Sequence, residues 1–248
     1  MVFEDNSKYL AEAIQMEIYN HNENARTAYP ARVVGVNSRF SVTVEISNPR
    51  MADDGTNMDN TQILNVPIAY PKSGTSIIFF PVKVGDVGHC VVMDNNIDNF
   101  KISTNSAAVQ AYDNRMKDVM DSVFVPGLAP FAVSQKQMNS LTLGSDPNDL
   151  LIVHNVGTGQ ETQLTLKADG NAEIKSQFTV KVIGKDIELN ASNSITLNAQ
   201  QMNVNVAQTN WTGNYSMIGE ARFNGVLFDT HIHSGVTPGT GNSGPVAG

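Results

Sequence analysis

From Leu141 to Val206 the chain alternates apolar and polar residues two by two, through segments such as LLIV, AEI, FTVKV, IEL, ITL and MNVNV. A period of two puts every second side chain of an extended backbone on one face, so the pattern calls for β-structure and excludes helix over this stretch. Two segments superpose at a spacing of eight, with Ile187 over Ile195, Leu189 over Leu197, Asn190 over Asn198 and Ala191 over Ala199. A repeat made of one strand and one turn is implied.

Leu189 to Gly219 contains no charged residue but seven asparagines. In a single chain such edges would pair with any other strand they met, so something must cover them. An Asn/Gln-biased disordered tract is the plainer reading. Ile, Leu, Val and Met at alternate positions carry too much apolar surface for it. Strand-turn units of this length are too short for one chain to close a wide solenoid. Three identical chains, each giving one strand per layer, bring the apolar side chains onto a common axis. A homotrimeric, intertwined β-helix is expected over residues 135–228.

Upstream the rules differ. Leu10, Ala13, Ile14, Met16 and Ile18 recur at helical spacing between Ser7 and Asn24, which predicts an amphipathic helix. Ala31 to Ile46 reads as a hairpin turning at Asn37-Ser38, and Asn48 to Asn60 as a polar loop. Short runs at Ile63–Tyr70, Thr75–Val82 and Val87–Met93 bring the total to about five strands, which suit a small barrel. Val109, Tyr112, Met116, Val119, Met120 and Val123 fall on one face of a helix predicted over Ala107 to Val123, before a turn-rich boundary near Pro130 to Gln135. The expected division is a helix in residues 1–28, a barrel with its following helix in 29–134, the shaft in 135–228 and a tip in 229–248.

Charge narrows the function. The 248 residues carry a formal charge of −8, and residues 29–105 hold six basic against seven acidic side chains, whereas phosphate binding needs clustered Lys and Arg. No nucleic-acid partner is expected. Cys90 is the single cysteine, the opening MVFEDNSKYL lacks the regions of a secretory signal, and no run approaches the ~20 apolar residues of a membrane span. Synthesis in a cytoplasm is expected. The charge-free tract has no paired carboxylates for glycan cleavage, and no enzymatic activity is expected.

The end of the chain holds the candidate site. His231 and His233, in Asp229-Thr230-His231-Ile232-His233-Ser234-Gly235, lie two residues apart, so on a strand they share a face. Neutral imidazoles are common ligands for transition metals. Three chains meeting on an axis would supply six nitrogens around one point, an octahedral site suited to one iron ion per trimer. Asp229-x-His231-x-His233 also resembles the metal signature of amidohydrolases, but that reading needs a long α/β chain downstream, and only fifteen residues follow His233.

A small barrel, an Asn/Thr-rich alternating shaft and the ending DTHIHSGVTPGTGNSGP together resemble the contractile-tail spike family, the baseplate assembly protein V and central spike proteins. The resemblance implies an OB-type barrel that docks on a tail hub protein, a trimeric β-helix shaft, and an iron held by His231 and His233 of all three chains. It implies a virion component that pierces the host outer membrane when the tail contracts. Spikes of contractile secretion systems share this architecture, and a receptor-binding or glycan-degrading tailspike would also be a trimeric β-structure.

Overall fold

The structure is a computed structural model that describes residues 6–52, 54–58, 62–228 and 239. It is mainly β and divides into two units, residues 1–182 and 183–248.

The first unit opens with helix α1 (Asn6–Asn24), where the periodicity predicts one, and continues into strands β1 (Ala28–Ser38), β2 (Ser41–Ile46) and β3 (Gln62–Pro67). A small hairpin of β4 (Lys72–Ser73) and β5 (Ser76–Ile77) precedes β6 (Val87–Val92). Helix α2 (Asp98–Ile102), a 3-10 turn (Val119–Asp121) and β7 (Ser122–Pro126) follow. Then come helix α3 (Phe131–Asn139) and strands β8 (Leu150–His154), β9 (Thr162–Leu166) and β10 (Ala172–Ser176). In the second unit the only strands among the described residues are β11 (Arg222–Phe223) and β12 (Val226–Leu227), which pair as a hairpin.

Five strands form one antiparallel sheet in the order β3-β2-β1-β6-β7. β1 alternates as its sequence demands, burying Tyr29, Ala31 and Val33 while Ala28, Pro30 and Arg32 face out. Val42, Val44, Ile63, Val66, Cys90 and Phe124 complete the centre of the core. Irregularities in the β1–β2 register after Val33 and Val36 add twist. Just beyond β3, Ile68 forms a parallel bridge with Phe124 of β7, and Ala69 N–H donates to the Phe124 carbonyl at 2.9 Å. The sheet thus curls into a half-barrel. Gly88 has a packing reason, since a Cβ there would meet the Val125 carbonyl and come within 2.7 Å of the Phe124 ring.

Several local expectations are corrected. The hairpin turns at Arg39-Phe40 rather than Asn37-Ser38, because the Ser38 hydroxyl accepts from Phe40 N–H and sits 2.8 Å from that of Ser41. Thr75–Val82 does not join the sheet. Its Phe79 and Phe80 rings pack on Tyr70 at 5.1 and 5.3 Å, and Pro81 lacks the donor a ladder needs. The helix predicted over Ala107–Val123 does not form either. Asp113 and Asp118 accept from the backbone N–H two residues on, Lys117 has φ 51°, and Ser122–Pro126 is taken by β6 as the fifth strand. Side-chain bonds to nearby backbone compete with helix in this way. A helix forms instead at α3, across the expected boundary at Pro130 to Gln135.

The alternating region begins with a sheet made within one chain. β8, β9 and β10 form an antiparallel meander in the order β10-β9-β8. Glu161 anchors it. Its fully buried carboxylate accepts from the Thr142 hydroxyl (2.6 Å), Thr142 N–H (2.8 Å), Leu143 N–H (3.2 Å) and Gly157 N–H (2.6 Å). Those bonds, the Thr142 hydroxyl first, hold its pKa down at about 2.

Candidate functional site: an unpaired shaft segment

Between β10 and β11 pairing stops among the described residues. From Phe178, in the first unit, to Glu220, in the second, no residue makes a backbone-to-backbone hydrogen bond to another described residue. The apolar side chains of this segment face solvent, Leu189 at 71% exposure and Leu197 at 68%. Its side-chain hydrogen bonds are almost all two residues apart: Asn190 to Glu188 (2.9 Å), Gln201 to Asn203 (3.0 Å), Gln208 to Asn210 (3.0 Å) and Tyr215 to the Met217 sulfur (3.6 Å). Such pairs lie on one face of an extended chain.

The same stretch carries a periodicity finer than the eight-residue repeat. Phe178–Val182, Ile187–Ala191, Ile195–Ala199 and Met202–Val206 are five-residue units, apolar or small at positions one, three and five, separated by four, three and two residues. The two even-length connections therefore switch the parity of the apolar positions, and the odd one keeps it. Ordering backbone costs ~1 kcal/mol per residue or more, and buried apolar side chains return ~1.5–3 kcal/mol each only when something covers them. Among the described residues nothing does.

The metal ligands expected at the tip, His231 and His233, lie outside the described residues, as does Asp229. Among the described residues no group of three or more His, Cys, Asp or Glu side chains is placed to hold a metal ion. Half-buried His89 pairs across the sheet with Pro30 and Val125, while exposed His154 ends β8. Cys90 is fully buried, and burial pushes its thiol up to about 11, so it is a packing residue rather than a nucleophile.

The half-barrel carries two polar and open features that sequence spacing does not reveal. Arg115 grips the buried Asp121 with two hydrogen bonds, Nε to Oδ2 at 2.8 Å and Nη2 to Oδ1 at 3.0 Å, and reaches Asp98 Oδ2 at 3.0 Å. Burial alone would raise the Asp121 pKa. The guanidinium and the Ile97 N–H outweigh it and hold the carboxyl below its ordinary value. Asp98 is lowered too, by Asn96 first and then Arg115 and Lys101. This clasp ties α2 to the 3-10 turn through Arg115. Beside it lies an open groove of about 930 Å³, lined among others by Phe40, Leu64, Asn65, Phe100 and Tyr112.

Residues 29–127 match the family model of the phage protein Gp138 N-terminal domain. That span runs from Tyr29 in β1 to the residue after β7, so it takes in the whole five-stranded sheet. The match indicates a phage-related protein. It leaves α3, the three-stranded sheet and the unpaired segment outside. No curated protein matches the chain.

Proposed function

We propose that the chain is the central, cell-puncturing spike of a contractile phage tail, a non-enzymatic homotrimer that sits in the virion baseplate and pierces the host outer membrane. The observation that carries the reading is the segment from Phe178 to Glu220, whose backbone is unpaired and whose alternate apolar residues are uncovered among the described residues. Three copies wound about one axis supply both missing partners at once. Each strand pairs with its neighbours, no edge stays free, and the resulting β-helix resists axial load along continuous interchain ladders. Its surface is then mostly Asn, Gln, Ser and Thr.

The half-barrel is the docking platform for a tail hub protein, supported by the family match over residues 29–127 and by the absence of a basic surface for nucleic acid. That match favours a phage tail over a contractile secretion system. A glycan-degrading tailspike lacks its paired carboxylates in the charge-free tract. At the tip, His231 and His233 of three chains hold one iron ion, a reading supported by the donor chemistry of two imidazoles per chain. The ion would tie three chain ends together, and the apolar shaft would not depend on it.

Metal analysis with mass in solution tests this on the natural chain and its His231→Ala/His233→Ala variant. One iron per three chains, lost in a variant that remains trimeric, is the expected result. A monomer carrying zinc would overturn the spike reading.

A further inference from the structure

The three-stranded sheet is built inside out. The registers align Leu150, Leu166 and Ala172 in one row, Ile152, Leu164 and Ile174 in the next, and His154, Thr162 and Ser176 in a third, all on one face. Thr162 and Ser176 hydroxyls lie 3.2 Å apart across it, as that alignment requires. This apolar face is open to solvent, with Ile152 at 63% and Ile174 at 67% exposure. The opposite face carries Gln163, Thr165, Glu173 and Lys175 with Leu151 and Val153 of β8, and it is the better covered one, although Lys175 at its edge is exposed. Gln163 is 1% exposed and donates to the Gly144 carbonyl at 3.2 Å, while Asp149 accepts from Ala168 N–H at 3.0 Å, so the 141–149 segment lies over the polar side. A one-sided antiparallel sheet in a lone chain does the reverse.

We propose that the exposed face of β8, β9 and β10 is the first layer of the subunit interface, covered by the same face of the other copies of this chain. The inference rests on the homotrimeric reading above and adds where the seam begins and which face forms it. Two observations choose another copy over an unrelated partner. The face bears no Asp, Glu, Lys or Arg, so identical copies meet without bringing like charges together, and a charged partner would find nothing to pair with. The apolar alternation also runs on past it, through Ile174, Phe178, Val180 and Val182 at alternate positions, into the segment with no pairing of its own. An apolar sheet face left in water gains none of the stabilisation that burying it would give. The 141–149 cover leaves the apolar side as the one that can close.

The test uses the full chain with single cysteines at the seam, Ile152→Cys and Ile174→Cys, and a control at Asp169→Cys in the β9–β10 turn, each labelled with a maleimide under native conditions. Buried Cys90 is the slow background. Labelling at the two seam positions at least about tenfold slower than at the turn, equalised by denaturant, is the expected result. Hydroxyl-radical footprinting of the natural chain, which needs no substitution, should show Leu150, Ile152 and Ile174 protected. If these residues react as fast as the turn in a protein of trimeric mass, the seam assignment fails and the homotrimer stands. If the natural chain has monomeric mass, the homotrimer and the seam fail together.

Discussion

The half-barrel and the segment from Phe178 to Glu220 use similar residues and reach opposite ends. Both alternate β-branched or aliphatic residues with polar ones. In the half-barrel every second side chain of β1 as far as Val33, and of β2 and β6, is buried by its own chain, and the strands satisfy one another's backbone groups. In the shaft segment the same alternation leaves every apolar residue outside and the backbone unpaired. The half-barrel joins β1 to β2 by a two-residue turn and its other strands by long excursions, such as those from Ile46 to Gln62 and from Val92 to Ser122, that let one chain return to its own sheet. The units of the 178–220 segment are joined by four, three and two residues, lengths that also close hairpins, yet none of them pairs with another described strand. Alternation says that one face is apolar; it does not say what covers it.

The comparison is broken most severely by placing charge in one region and watching the other. Leu189→Asp with Leu197→Asp would triplicate two buried carboxylates at the axis; trimeric mass should be lost while near-ultraviolet circular dichroism of the half-barrel persists. Phe124→Ala acts in the opposite sense. It empties a fully buried ring site, and denaturant melting should show the half-barrel weakened by about 3–5 kcal/mol with the trimer intact.

Asp121→Ala should cost the half-barrel about 2–3 kcal/mol, the lower end reflecting an Arg115 side chain that is partly solvated. The pH dependence follows in sign. Asp121 and Asp98 have folded pKa values below the ordinary 3.8, so the clasp contributes fully above that value and loses its contribution as pH falls through the lowered ones. Glu161 behaves alike. Its contribution is present above the ordinary 4.5 and is lost as pH falls towards about 2, and Glu161→Gln should flatten that acid limb for the three-stranded sheet. The smallest effect belongs to Arg32→Ala. Its 2.6 Å ion pair with Glu45 is exposed, and urea melting should shift by under about 1 kcal/mol.

Much of this division was legible in the residues. The charge-free tract and the repeat relating Ile187 to Ile195 marked a stretch that, among the described residues, does not pair with itself, and Ala31 to Ile46 marked the first hairpin of the half-barrel. Other parts depend on contacts between distant positions. Val119 to Val123 has a helical stripe, yet Val123 and Phe124 go to β6 because the half-barrel needs a fifth strand. Arg115 looks like a surface charge until the fold brings Asp98 and Asp121 to it. Glu161 gives no hint in its neighbours that Thr142, Leu143 and Gly157 will all donate to it. The polar-in arrangement of β8, β9 and β10 was hidden for the same reason, since alternation states that two faces differ and not which one the chain covers.

The most direct test of the central claim is hydrogen exchange measured by mass spectrometry on the native full-length protein, read over residues 178–220. Among the described residues those amides, past Phe178 whose N–H donates to Ser176 Oγ, have no backbone partner. Completion by other copies predicts slow exchange there, comparable with β1 and β6, and protection that disappears when the trimer is dissociated. Exchange at the rate of an unstructured peptide in the native protein would contradict the account.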